Sequence, residues 1–160
     1  MQDLQIAQLF NQCFAQSHDT ILRGGAQEPL YLPGNANEPA QLWYREDFAA
    51  SALHEIAHWC VAGGARRRLV DFGYVYSPPP RSPQAQAAFF ASELKVQTLE
   101  MLFAQTAGVP FTASADNLQA DVRGFTKQIH QARNTVAHWM RVSRDQRAAQ
   151  FHQILEGHFG

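Results

Sequence analysis

Long apolar runs are missing from this chain: nothing in its 160 residues approaches the roughly 18 consecutive apolar side chains that a membrane-crossing helix needs. No membrane contact is therefore expected. Met1-Gln2-Asp3-Leu4 lacks the basic start of an export signal, so the protein is expected to stay in the cytosol. Cysteine is scarce. Cys13 and Cys60 form no spaced motif, and in a reducing compartment both remain thiols. Neither sign of charge is in excess, and a formal net charge of −1 gives no reason to expect nucleic acid as a partner. There is no Gly-rich dinucleotide fingerprint, no phosphate loop and no internal repeat, so no nucleotide cofactor is indicated. With 46% hydrophobic and 17% charged residues the composition excludes a disordered chain, and one compact domain over residues 1–160 is expected.

What is present is chemistry in an apolar setting. His54-Glu55-Ile56-Ala57-His58 is an HExxH pattern inside FAASALHEIAHWCVA, residues Phe48 to Ala62. Leu53, Ile56, Trp59 and Val61 are distributed all round the predicted helix, which is therefore expected to be buried on most sides, with Asp47 as N-cap and Gly63-Gly64 as stop. On a helix the two histidines stand one turn apart on one face, close enough to share a metal ion. Burying an unpaired polar group costs about 2–7 kcal/mol, so a cation that engages these side chains explains them economically. A chance pattern with hydrogen-bonded histidines has the same five letters.

Two histidines need a third ligand. Ser82 as N-cap, Pro83 at the first helical position and Gly108 as closing residue predict one long helix between them. On it Glu93, Gln97 and Glu100 form a narrow polar stripe, with Phe90, Leu94 and Met101 on one side and Val96, Leu99 and Phe103 on the other. Such a stripe faces inward or outward equally well. Facing inward, Glu93 is the candidate ligand and Gln97 a residue that orients it; facing outward, the stripe is an ordinary solvated surface.

The run HEIAHWCVAGGARRRLVDFGYVYSP from His54 to Pro78, together with EPLYLP from Glu28, ELKVQTLEMLF from Glu93 and GVPFTASADNL from Gly108, resembles the bacterial elongation factor P hydroxylase family. The likeness is collinear and covers roughly residues 5 to 120. Beyond that it weakens, and the chain is expected to stop short of the family's pattern. The resemblance implies a non-haem iron site that uses dioxygen to hydroxylate a lysine of elongation factor P carrying a β-lysyl group. Position by position it implies His54 and His58 as metal ligands and Glu93 as the carboxylate, with Fe(II) as cofactor.

The ligand types alone do not separate iron from zinc. Two histidines and a carboxylate serve facial-triad oxygenases and zinc hydrolases alike, so a zinc-dependent, protease-like hydrolase with Glu55 as general base is the alternative, and zinc could occupy the site in a crystal. In an oxygenase Glu55 instead organises the site or shuttles a proton. A purely structural metal site would call for four ligands, and only three are visible.

Arg66-Arg67-Arg68 offers either a solvated surface or a contact for acidic surface on the protein substrate. Asp71, Tyr74 and Tyr76 stand where a lysine-derived amine could meet a carboxylate and aromatic faces, although alternate positions of the strand expected over Phe72 to Tyr76 also suit a core. The remaining elements are an amphipathic helix from Leu4 to Ala15 with Leu4, Ala7, Leu9, Phe10 and Phe14 on its apolar face, short strands at Thr20–Arg23, Leu30–Leu32 and Gln41–Tyr44, and two late helices at about Val122–Met140 and Ser143–Glu156. Strands clustered early and helices late indicate an α+β fold in which a small sheet packs against the buried metal helix.

Overall fold

A computed structural model describes residues 2–74, 78–115, 117 and 120–160. Among the described residues five α-helices accompany a three-stranded sheet, on which α1 and α2 pack, an α+β architecture as expected. Helix α1 spans Gln2–Phe14 and buries Ile6, Phe10 and Phe14, one turn apart, in the core. Leu4, assigned above to that face, points to solvent at 66% exposure, because its azimuth lies opposite Ile6.

Strands β1 (Thr20–Ala26), β2 (Leu30–Leu32) and β3 (Ala40–Arg45) overlap the three expected strands, β1 running on past Arg23 through Gly24 and Gly25. The order is β1-β3-β2. β3 runs parallel to β1, with Thr20 opposite Ala40 and Leu22 opposite Leu42, and antiparallel to β2, with Tyr31 opposite Leu42. Period-two alternation turns Leu42 and Tyr44 of β3 into the core.

Helix α2, Ala49–Val61, carries the HExxH pattern. It buries Leu53, Ile56, Trp59 and Cys60 as well as Glu55. Its N-cap is Phe48, without a side-chain hydrogen bond, rather than Asp47, and its C-cap is Ala62, one residue before the glycine pair.

Helix α3, Pro83–Ala107, matches its predicted limits because its ends are written in the sequence. Ser82 Oγ accepts from the Ala85 N–H at 3.1 Å, and Gly108 closes the helix in the left-handed conformation at φ 71°. The polar stripe faces inward: Glu93 and Glu100 are each 7% exposed and Gln97 1%. Val96, Leu99 and Phe103 beside it belong to the main core, which α1, the sheet, α2 and α5 share. On the other side Met101, with Phe90 and Leu94, joins a smaller cluster completed by Phe125 and Ile129 of α4, Arg123–Val142.

Helix α5, Arg147–Phe159, begins four residues later than expected. Ser143 is used as the C-cap of α4, and Asp145 Oδ1 accepts from the Arg147 N–H at 3.2 Å, which starts the next helix there.

The strand expected over Phe72 to Tyr76 is not a strand where it is described. Val70–Gly73 form a 3-10 turn, and Val75 and Tyr76 lie outside the described residues. Asp71, Phe72 and Gly73 all have positive φ, at 51°, 59° and 75°. Left-handed backbone at two non-glycine residues costs on the order of 1–3 kcal/mol each and persists only where the surroundings enforce it. They do so here: Asp71 Oδ1 accepts the Tyr31 N–H at 2.9 Å, the Phe72 carbonyl accepts from Arg66 at 3.0 Å, and the Phe72 ring stacks on Tyr31 with centroids 4.1 Å apart.

Candidate metal centre

α2 and α3 pack side by side, and each contributes to one constellation. The one-turn spacing of His54 and His58 brings their Nε2 atoms to 3.1 Å from each other. Glu93 reaches across from α3, its Oε1 3.4 Å from His54 Nε2 and its Oε2 3.2 Å from His58 Nε2. Ligand atoms of these three residues all lie within 4.8 Å of one another, the span of a site that could hold one metal ion.

The electrostatics suit a cation. Burial disfavours charge on Glu93, yet the two histidines beside it hold its carboxyl well below the usual carboxylate range. Burial likewise disfavours a charged His54, and Glu100 and Glu93 together outweigh it, raising the imidazole well above its ordinary value. Glu93 Oε2 is buried and has no hydrogen-bond partner among the described residues, even with His58 Nε2 at 3.2 Å. Two imidazole nitrogens and a carboxylate gathered this closely form a donor set that fits a divalent ion such as iron or zinc.

Around these three the other residues singled out in the sequence can be placed. Glu55 is buried beside the histidines, its carboxyl raised by burial, and it makes no hydrogen bond among the described residues. Gln97 bridges two elements: its amide nitrogen is 3.4 Å from Glu93 Oε1 and 2.8 Å from the Ser114 carbonyl, while its oxygen accepts the Ser114 N–H at 2.9 Å. Tyr74 meets the imidazole of His58 edge-on at 5.4 Å, and the guanidinium of Arg66 lies over the Tyr74 ring at 4.8 Å. Asp71 is exposed, with one oxygen engaged by Tyr31. Tyr76 lies outside the described residues.

The arginine triplet divides. Arg66 and Arg68 are exposed, but Arg67 turns inward and donates to the carbonyls of Trp59 and Ala62 at the end of α2, with Asp145 at 3.5 Å. It satisfies helix-terminal carbonyls and is not available as a surface contact.

Two neighbours of the site escaped the sequence reading. Glu100 Oε1 lies 2.7 Å from His54 Nδ1, a contact implicit in the polar stripe once the stripe faces inward. Phe72 lies parallel to the His58 ring at 6.0 Å, and no sequence signal marks it, because the alternating aromatics imitate a strand.

With this geometry in place, the chain can be set beside known proteins. A family model described as Elongation factor P hydroxylase matches residues 9–160. The chain belongs to the elongation factor P hydroxylase family. The match takes in α4 and α5 as well as the HExxH helix. A Haemophilus influenzae protein named Elongation factor P lysine hydroxylase is 47% identical over 128 residues, which is 79% of this chain and 71% of that protein.

Proposed function

We propose that this protein hydroxylates a lysine side chain of elongation factor P, with Fe(II) held by His54, His58 and Glu93 and dioxygen as oxidant. The observation that carries the reading is the convergence of two imidazole Nε2 atoms and one carboxylate in a member of this family. A saturated C–H bond resists acid–base chemistry, and ferrous iron, when bound, supplies the activation of dioxygen that its oxidation requires.

The chain's own residues would do the rest. Gln97 holds Glu93 in place from the Ser114 backbone. Glu55, buried beside both histidines, holds or moves a proton during the reaction. Tyr74 flanks His58 and offers its ring to the aliphatic part of the substrate lysine, while Asp71 offers its exposed carboxylate to the amine. Arg66, with exposed Arg68 close by, meets acidic surface on the protein substrate. Replacing Arg66 and Arg68 with Ser should weaken binding to elongation factor P and flatten its salt dependence; unchanged affinity at low ionic strength rules that contact out. Among the described residues no helix is long and apolar enough to cross a membrane. A translation factor as substrate assigns the work to the cytosol.

The decisive experiment incubates the ferrous protein with β-lysylated elongation factor P and an added two-electron reductant such as ascorbate, which sends the second oxygen atom of dioxygen to water, in air and under nitrogen, and weighs the product. A gain of one oxygen atom in air only is the expected result. Fragmentation in both atmospheres selects a hydrolase, and an unchanged mass in air refutes the proposal.

A further inference from the structure

We infer that Glu100 is the positioning residue for His54, fixing which ring nitrogen faces the metal centre. The inference rests on the reading of His54, His58 and Glu93 as metal ligands and extends it by one residue. Glu93 and Glu100 stand two helical turns apart on the same stripe of α3, so one helix presents a carboxylate to each nitrogen of the same imidazole. Glu100 Oε1 is 2.7 Å from Nδ1, the short distance of a charge-assisted hydrogen bond, and Glu93 Oε1 is 3.4 Å from Nε2. A carboxylate has no proton to donate, so Nδ1 carries a hydrogen, and Nε2, the nitrogen on the side of Glu93 and His58, is the one that would give its lone pair to a bound ion.

Burial supports a dedicated role. Glu100 is 7% exposed, and a carboxylate in such a place is costly without a partner. His58 supplies the contrast, since its Nδ1 is buried with no hydrogen-bond partner among the described residues. Its ring is held by packing against Phe72 and Tyr74. Among the described residues only His54 has a carboxylate at its Nδ1, and Glu100 sets its angle and its basicity toward a bound ion.

Co(II) serves as the probe, with affinity measured by competition against a chromophoric chelator and geometry by its visible absorption. Four full-length proteins are compared: wild type, Glu93→Ala, Glu100→Ala and Glu100→Gln. Loss of the Glu100 carboxylate should lower Co(II) affinity by about 10- to 100-fold and alter the spectrum, whereas Gln, which keeps an acceptor oxygen for Nδ1–H, should recover part of both. A role confined to folding would lower the thermal midpoint of the metal-free protein and leave affinity and spectrum alone. If wild type binds Co(II), Glu93→Ala loses it, and both Glu100 variants match wild type, the positioning role is overturned and the ligand assignment stands. If wild type fails to bind, or Glu93→Ala binds as well as wild type, the ligand assignment itself falls. Should Glu100→Ala not fold, Glu100→Gln decides alone: unchanged affinity with an unchanged spectrum overturns the inference.

Discussion

The ring of Phe72 and the imidazole of His58 lie parallel, with 11° between their planes and 6.0 Å between centroids. Phe72 is in turn stacked on Tyr31, so a loop residue in left-handed backbone links the edge of the sheet to a histidine of the candidate metal centre. Phe72→Ala removes a nearly fully buried ring and should cost about 3–5 kcal/mol of stability. Phe72→Leu keeps most of the volume and should cost less, while still loosening His58 and weakening metal binding. Urea unfolding and metal titration of both variants check this. A loss below about 1 kcal/mol in Phe72→Ala would show that the turn does not depend on the ring.

A second prediction concerns a buried polar pair at β3. Tyr44 donates to Asp3 Oδ2 at 2.8 Å in the buried seam between β3 and α1, and its ring covers Gly24 so closely that a Cβ there would stand 2.4 Å from the ring carbon Cε2. Gly24→Ala must displace a buried ring, and Tyr44→Phe removes one donor from a buried carboxylate. Each should destabilise the fold by about 1–3 kcal/mol, measurable by denaturant unfolding. Metal binding should survive in both, because neither residue touches the site.

The readable and unreadable parts of this fold differ in where their causes lie. α3 was legible because a serine, a proline and a glycine mark its ends, and its stripe of Glu93, Gln97 and Glu100 was legible as a pattern, though not as to which way it faces. That direction depends on two apolar clusters on either side, one of which needs Phe125 and Ile129 from a later helix. The turn at residues 70–73 was illegible for a different reason. Phe72, Tyr74 and Tyr76 alternate as a strand would, and no residue type there announces positive φ at Asp71 and Phe72, which a long-range bond from Tyr31 and a nearer one from Arg66 impose. The inward turn of Arg67 likewise needs Asp145, which only the tertiary fold brings near.

His18 yields a pH prediction. Its ring packs edge-on against Phe14 and Trp59, and burial, followed by repulsion from Arg147 and Arg67, lowers its pKa from the ordinary imidazole value; Asp145 opposes this without cancelling it. The unfolded chain therefore binds the His18 proton more readily than the folded one. The contribution of His18 to stability is full above the unfolded value of about 6.5 and is lost progressively as pH falls from there through the lower folded pKa. His18→Gln should reduce the loss of stability between pH 7.5 and pH 5.5 relative to wild type. Equal pH slopes for the two proteins would refute the assignment.

Glu55 separates the two chemistries that the ligand set permits. It is buried beside His54 and His58, burial shifts its carboxyl toward the neutral form, and no hydrogen bond among the described residues ties it to a structural task. Glu55→Gln keeps its size and removes its ability to exchange a proton. Metal affinity and thermal midpoint should then stay close to wild type, while the rate of hydroxylation of elongation factor P falls by about 10²-fold or more, the usual scale of a lost proton-transfer group. A rate within a factor of two of wild type, with metal bound, would remove Glu55 from the reaction and leave it a space-filling neighbour of the histidines. If the wild-type protein instead cleaves a peptide substrate without dioxygen and Glu55→Gln abolishes that cleavage, Glu55 is the base of a hydrolase, and the hydroxylase reading fails with it.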